Sequence, residues 1–205
     1  MLGLIKKDLL MLKSNYKLFV IIIGCLIFTM INNKENNVEA IMMLLPMLSI
    51  LVYLSTFSYD EFNNFNAYAC TLPNGRSNVI KAKYITSLLL IIVSLLLSTI
   101  ISICFKYNIH DILFSLLESI ISVFLIISVL FPFMIKYGAM NGRIIIFVFV
   151  MIVAGIGYLL SNIINIDSVL NFINTLSPIL ILLIGITITF ISYLISKHIY
   201  MNKEF

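Results

Sequence analysis

Side chains able to do chemistry are few in this sequence, and none of them forms a catalytic or metal-binding pattern. The two histidines, His110 and His198, lie far apart at the ends of apolar runs, without the partner ligands that a zinc site needs. The three cysteines include no CxxC pair, and the HExxH, GxSxG and GxxxxGKS/T motifs are absent. We therefore predict that the chain is not an enzyme and binds neither a metal nor a cofactor of its own.

One carboxylate, Glu118, stands out because it lies inside an apolar run. It comes about two turns after the start of the run Ile112–Ile135, where a charge in hydrocarbon is costly unless it is paired or hydrated. Two interpretations are open. Either Glu118 faces a substrate pathway and meets cationic groups of the substrate, or the membrane helix begins later and Glu118 lies among the outer headgroups.

The composition excludes an ordinary soluble domain and predicts an all-α integral membrane protein. Hydrophobic residues make up 61% of the chain and charged residues 11%, and the mean hydropathy is +1.13. A membrane-crossing helix needs about 20 mostly apolar residues. We predict six such helices in a single domain over residues 1–205. The six apolar runs are Leu18–Ile31 (extendable back to Tyr16), Ala40–Tyr59, Ile85–Phe105, Ile112–Ile135, Ile144–Ile164 and Leu170–Ser196.

Lysine and arginine are distributed unequally between the two sides of this predicted topology. Eleven of the 13 basic residues fall on the side of the termini, whereas Lys34 and Lys106 fall on the other side. Cytoplasmic loops carry the excess of basic residues, so we predict a multi-pass membrane protein with both termini in the cytoplasm. The net charge of +4 is then a topology signal, and we expect no nucleic-acid binding. The eleven residues are Lys6, Lys7, Lys13, Lys17, Arg76, Lys81, Lys83, Lys136, Arg143, Lys197 and Lys203.

The first residues of the chain, 1–15, predict an amphipathic helix that lies along the inner membrane surface. Apolar and charged side chains separate onto two faces at helical spacing. The alternative is a simple basic flank that only sets the topology. The apolar face comprises Leu2, Leu4, Ile5, Leu9 and Leu12, and the charged face comprises Lys6, Lys7, Asp8 and Lys13.

The longest polar stretch, Tyr59–Tyr84, lies between the second and third predicted crossings. It predicts a short amphipathic helix over residues 60–72, with Asp60 and Glu61 at its N-terminus, where carboxylates complement the helix dipole. Pro73 ends this helix. Its aromatic face either lies on the membrane or fills a groove on a cytoplasmic partner, and the residue types alone do not decide. That face comprises Phe62, Phe65, Tyr68, Ala69 and Leu72.

The order of features in this polar stretch resembles that of the permease subunits of ABC-2-type transporters. An acidic pair precedes an aromatic helix, a Leu-Pro-x-x-Arg sequence and an Ile-x-x-Lys-Tyr sequence before a crossing. The six-crossing layout and the amphipathic start also fit. Within the family, the small permeases of phenol-soluble-modulin-type peptide exporters are the most similar in size. The matching residues are Asp60, Glu61, Thr71, Leu72, Pro73, Arg76, Ile80, Lys83 and Tyr84.

This resemblance implies that residues 60–72 form a coupling helix that docks on a separate ATPase subunit. Two permeases and two ATPases would form the working unit in a bacterial cell membrane, with ATP and Mg²⁺ bound by the ATPase. The implied substrate is an amphipathic or antimicrobial-type peptide, exported from the cell or from membrane lipid. The alternative is a non-transport immunity or sensor-anchoring protein that recruits a cytoplasmic partner through residues 60–83. The implied docking residues are Asp60, Glu61, Phe62, Phe65, Tyr68, Leu72, Pro73 and Arg76.

Overall fold

The structure is a computed structural model that describes the continuous stretches 1–14, 38–72, 75–139 and 178–203. It also describes residues 17, 20, 24, 141, 142, 144, 147, 148 and 151. The predicted first and fifth crossings, Leu18–Ile31 and Ile144–Ile164, lie almost entirely outside the described residues, as does Pro73. The prediction of six crossings is therefore untested at two of its helices.

Every regular element within the described stretches is an α-helix, as the composition predicts. Helices α2 and α3 are separated only by Leu54, whose N–H donates to the Ile50 carbonyl at 2.9 Å. These two helices therefore form one nearly continuous rod. The helices are α1 (Leu2–Ser14), α2 (Val38–Tyr53), α3 (Ser55–Phe62), α4 (Phe65–Thr71), α5 (Gly75–Cys104), α6 (Ile109–Tyr137) and α7 (Pro178–Met201).

Four of the described helical stretches are long and apolar enough to cross a membrane, and they coincide with the second, third, fourth and sixth predicted crossings. Helix α5 has 30 residues, which is about 45 Å at 1.5 Å per residue and longer than a hydrocarbon core of about 30 Å. The basic segment that begins at Gly75 and the third crossing thus form one helix that extends beyond the bilayer. The four stretches are Val38–Phe62, Gly75–Cys104, Ile109–Tyr137 and Leu182–Met201.

An aromatic cluster packs the membrane helices together near the polar end of α5. Phe131 of α6 is fully buried, and the rings of Tyr53, Phe57 and Tyr84 surround it with centroids 6.0, 5.3 and 4.9 Å away. Ring pairs at these separations are favourable beyond the area that they bury. Because the three rings come from α2, α3 and α5, the cluster fixes these helices relative to α6.

Hydroxyl groups complete the packing of α7 against the rest of the bundle. The Tyr84 hydroxyl of α5 lies 2.8 Å from Ser192 Oγ and 2.9 Å from Ser196 Oγ. Ser192 in turn donates to the Ser128 carbonyl of α6 at 2.8 Å. Small polar residues of this kind let membrane helices approach closely and exchange hydrogen bonds. Helix α7 is therefore tied to both α5 and α6.

The predicted single helix over residues 60–72 is wrong, because two helices meet at Asn63 and Asn64. Asn64 has a φ of 50° in the left-handed region, which asparagine adopts more readily than most other residues that have a side chain. The chain therefore turns between α3 and α4. Asp60 and Glu61 consequently lie in the last turn of α3 and not at a helix N-terminus, so the helix dipole does not explain their position.

Candidate functional site

The α3–α4 segment (Ser55–Thr71) lies at the same end of the helices as α1 and the C-terminal residues. Lys7 of α1 binds Asp60 of α3, and Arg76 Nη1 donates to the Met201 carbonyl at the end of α7 at 2.6 Å. The opposite end of α5 leads into the loop before α6, and this loop contains Lys106. The described parts near both termini thus share one side of the helices, as the charge distribution predicts.

The α3–α4 segment exposes three aromatic side chains. Phe62 is 86%, Tyr68 60% and Tyr59 39% exposed, and a recess of about 500 Å³ lies beside Phe62 and Tyr59. Aromatic residues are favoured anchors in protein interfaces. The predicted aromatic face is nevertheless divided, because Ala69 is buried and Phe65 is half-buried. Phe65 packs inward, where Lys7 Nζ lies 3.7 Å from its ring centroid.

The inward face of the same segment carries a charge cluster formed by Lys7, Asp8, Asp60 and Lys83. Asp60 is 2% exposed and lies between the two ammonium groups: it binds Lys7, and its Oδ2 is 2.6 Å from Lys83 Nζ. Asp8 is 1% exposed, and its Oδ1 is 3.2 Å from Lys7 Nζ and 3.4 Å from Lys83 Nζ. Two carboxylates and two ammonium groups from α1, α3 and α5 thus meet in a buried, electrically balanced cluster.

Hydroxyl groups of the neighbouring helices surround this charge cluster. Lys83 Nζ donates to Thr56 Oγ1 at 3.0 Å. The Tyr53 hydroxyl lies 2.9 Å from the Lys83 carbonyl oxygen and 3.2 Å from Asp8 Oδ2, and it also contacts Thr86 Oγ1. Buried charges need such additional hydrogen bonds to offset their loss of water. The cluster is therefore an ordered polar network that the sequence places on four different helices.

Glu61 joins the α3–α4 segment to the end of α6. The Ala139 N–H donates to Glu61 Oε2 at 2.5 Å, just after α6 ends at Tyr137. Gly138 between them has a φ of 82° and a ψ of 172°, a conformation that is essentially restricted to glycine. A Cβ atom at Gly138 would lie 2.7 Å from Glu61 Oε1. Glycine thus lets the carboxylate approach the backbone after α6.

Two further contacts join the segment and the start of α5 to the end of α7. The Tyr200 hydroxyl donates to Asn66 Oδ1 of α4 at 3.0 Å. Arg76 reaches the last carbonyl of α7, and its Nε donates to Cys70 Sγ at 3.3 Å. A cation at a helix C-terminus is favoured by the helix dipole. Each described helix that packs around the segment is therefore bonded to it or to the residues that follow it.

Lys203 lies beyond α7 and holds the end of α6. Its ammonium group donates to the carbonyl oxygens of Ile135 at 2.8 Å and Lys136 at 3.2 Å. Burial lowers the pKa of Lys203 below its usual value, and the negative charge of Glu61 partly opposes this shift. Lys203 also lines a cavity of about 180 Å³, together with Asp60, Glu61 and Lys83. This cavity lies between the charge cluster and the contacts at the end of α6.

The predicted docking residues fall into two groups in the structure. Phe62, Tyr68 and Leu72 are exposed on the outward face, where a partner can reach them. Asp60 is buried in the charge cluster, which removes it from any docking surface in this conformation. Phe65 packs inward against Lys7, and Glu61 and Arg76 form hydrogen bonds with other parts of this chain. Pro73 lies outside the described residues.

Sequence reasoning missed the role of α1 in this site. We predicted that Asp8 lies on a charged face turned away from the apolar one, but Asp8 and Leu12 are the buried residues of α1, whereas Leu2 and Leu9 are exposed. The sequence feature that could have indicated this role is Asp8, the one acidic residue among the lysines of this helix. The placement of α1 on a membrane surface stays a prediction.

Glu118 lies away from the α3–α4 segment, nine residues after the start of α6 at Ile109. Its side chain is exposed, and Glu39, in the first turn of α2, is the acidic residue of that helix. A recess of about 350 Å³ near the same end is lined by Glu39, His110 and Asp111. Both interpretations of Glu118, a pathway residue and a headgroup residue, stay open.

Comparison with known proteins identifies the family to which this arrangement belongs. No curated protein and no solved structure matches the chain. The family described as ABC-2 family transporter protein, in contrast, matches residues 3–201, so the match includes α1, the α3–α4 segment and the membrane-spanning helices. The chain is therefore a member of the ABC-2 transporter family, and a multi-pass membrane permease of an ABC transporter.

Proposed function

We propose that this permease is driven by a separate ATPase subunit that docks on Phe62 and Tyr68, and that it exports amphipathic peptides. One observation carries the docking assignment. The two aromatic side chains are exposed on a short segment whose other face is bonded to the surrounding helices. A surface that combines outward anchors with inward bonds is suited to receive a force from a partner and pass it to the membrane helices.

The inward bonds give this transmission a specific route. Asp60 connects the segment to α1 and α5, Glu61 connects it to the end of α6, and Asn66 connects it to the end of α7. A displacement of the segment therefore acts on all four helices at one end. The chain itself contributes no nucleotide-binding motif, which places ATP and Mg²⁺ on the partner in this proposal.

The substrate class is supported by the resemblance to small peptide exporters and by the outer surface of the membrane helices. Along α5, the side chains of Leu89, Val93, Leu96 and Ile100 are exposed. These apolar surfaces suit contact with lipid or with the apolar face of an amphipathic peptide. We propose that such a peptide enters from the membrane, and that two permeases and two ATPases form the transporting assembly.

The docking assignment is tested by co-expression and co-purification with candidate ABC ATPase subunits from the same organism. We expect Phe62→Asp to weaken the complex by about 30-fold, since loss of an aromatic anchor typically costs about 2 kcal/mol or more. The matched control is Ile109→Asp. Ile109 is 75% exposed, but it lies at the opposite end of the helices, so the complex should keep its wild-type affinity.

Two results would contradict the docking assignment. One is an equal affinity of the wild type and Phe62→Asp, with both proteins inserted in the membrane. The other is an equal loss for Phe62→Asp and Ile109→Asp, which would indicate a general effect of an added charge. A wild-type chain that forms no complex with the ATPase would instead favour the non-transport alternative.

The substrate assignment needs a separate measurement. Wild-type permease and ATPase are reconstituted in vesicles with a fluorescent amphipathic cationic peptide or with a hydrophilic peptide of equal length. We expect ATP-dependent movement of the amphipathic peptide only. Movement of neither peptide, in vesicles that hydrolyse ATP, would show that the substrate belongs to another chemical class.

A further inference from the structure

The charge cluster of Lys7, Asp8, Asp60 and Lys83 links three helices that are distant in sequence. Both lysines contact both carboxylates: Lys7 binds Asp60 and lies 3.2 Å from Asp8 Oδ1, and Lys83 lies 2.6 and 3.4 Å from the same two side chains. Helix α1 contributes one ammonium group and one carboxylate. The other pair comes from α3 and α5, so each pair is electrically balanced by itself.

Stability alone does not explain why this cluster is buried. Removing two ion pairs from water costs about as much as their attraction returns, and apolar replacements of buried ion pairs are often neutral or stabilising. The best-attested use of such groups is to specify one arrangement of the elements that carry them. In this protein, the arrangement concerns the position of α1 against α3 and α5.

The cluster also has space beside it. The cavity of about 180 Å³ is lined by Asp60 and Lys83 on one side and by Glu61 and Lys203 on another. Among the described residues, Asp60 Oδ2 takes no hydrogen bond of good geometry and contacts Lys83 only as an ion pair. The Asp60 carboxylate thus borders open space, and charge attraction holds its Oδ2 without a directed hydrogen bond. The cluster therefore combines a firm connection between helices with space beside it.

We propose that Lys7 and Asp8 are positioning residues that make α1 move together with the α3–α4 segment during transport. This inference rests on the proposed function, because it assigns a role in the same ATP-driven cycle. The ATPase displaces Phe62 and Tyr68, Asp60 in the last turn of α3 follows, and the ion pairs carry α1 with it. Without the pairs, the ATPase still binds and hydrolyses ATP, but a smaller part of the motion reaches the membrane helices.

The test uses the double variant Lys7→Met/Asp8→Asn in the full complex. Both charges that α1 contributes to the cluster are removed together, so the Asp60–Lys83 pair stays balanced and no unpaired buried charge is created. We expect ATPase binding to be unchanged, whereas the number of amphipathic peptides moved per ATP should fall by about fivefold or more, as for a lost coupling between two sites. The matched control is Lys6→Met, an exposed position on the same helix, which should keep the wild-type ratio.

A cross-linking measurement follows the position of α1 independently of transport. Gly3 and Asn78 line the same groove between α1 and α5, so cysteines at these two positions, in a background without Cys25, Cys70 and Cys104, report whether α1 is held. We expect the double variant to reduce the yield of the disulfide, whereas Lys6→Met leaves it unchanged.

The outcomes separate this inference from the proposed function. If the wild type shows no ATP-driven transport, the proposed function fails first. A wild type that transports, together with a double variant that keeps the wild-type ratio of peptide to ATP, overturns only the role of Lys7 and Asp8. A lower disulfide yield with an unchanged ratio also overturns it, because α1 would then be held for structural reasons alone.

Discussion

Gly138 is a position near the docking segment where a single added methyl group should destabilise the protein, and Gly138→Ala is the corresponding test. Its φ of 82° and ψ of 172° are essentially restricted to glycine, and forcing another residue into such a region costs about 1–3 kcal/mol. The new Cβ would also lie 2.7 Å from Glu61 Oε1. The carboxylate must then move away from the Ala139 N–H, which donates a hydrogen bond to it.

The two effects are not additive, because Glu61 is exposed and its displaced carboxylate regains hydrogen bonds with water. A charge-assisted hydrogen bond contributes about 1.5–3 kcal/mol, so we expect a total loss of about 2–4 kcal/mol when Gly138→Ala is compared with the wild type. For a chain of about 200 residues this lowers the unfolding temperature by about 5–15 °C. The assay is the thermal loss of monodisperse protein in detergent, recorded at one fixed scan rate for all variants.

Two comparisons make this prediction specific. Gly3→Ala adds a methyl group in α1 where no atom lies within 4 Å, so it should leave the unfolding temperature unchanged or raise it slightly, as alanine does in helices. In Gly138→Ala/Glu61→Ala the clash is absent, and the loss should be smaller than the sum of the two single losses. The reasoning is refuted if Gly138→Ala unfolds within about 2 °C of the wild type, the range of a neutral surface substitution.

Two further predictions concern the residues that surround this contact. Lys203 should have a pKa below 10.5, because burial disfavours its charged form. The buried charge lowers the free energy of unfolding, and this loss should disappear as the pH rises through the lowered pKa. NMR of ¹³C-methylated lysines measures this midpoint, and Glu61→Gln should lower it further, since the Glu61 charge raises it; an upward shift would contradict the assignment. Tyr200→Phe should cost about 0.5–1.5 kcal/mol by removing the hydrogen bond to Asn66. Asn66→Ala should then cost less in the Tyr200→Phe background than in the wild type, because the shared hydrogen bond is already lost; thermal unfolding measures both, and equal costs would contradict the assignment.

The apolar runs predicted the membrane helices well, because continuous apolar sequence in lipid has few alternatives to a helix. The third apolar run begins at Ile85, whereas the helix that contains it begins at Gly75, since a helix need not stop where the bilayer stops. The turn at Asn64 was missed because a left-handed asparagine has no distinctive pattern in a polar stretch that is rich in asparagine.

The inward half of the site was not predictable from one sequence. The spacing of the aromatic residues predicted one continuous face, but Phe62 and Tyr68 are exposed whereas Phe65 packs inward, and the docking role stays a prediction. Nothing in the spacing of Asp8, Asp60 and Lys83 indicates that they meet, because they belong to helices whose relative positions are fixed by long-range packing. From the sequence, we therefore explained Asp60 and Glu61 by the helix dipole. In the structure, Asp60 instead neutralises lysines from two other helices.

The near-continuity of α2 and α3 joins the docking segment directly to the far end of the helices. The rod Val38–Phe62 has 25 residues, which is about 38 Å at 1.5 Å per residue. Phe57 packs against Phe131 near one end of it, and Val38 packs with Met42 and Ile112 in a small apolar cluster at the other. A movement passed along this rod must cross Pro46, which lies inside α2 and donates no backbone hydrogen bond.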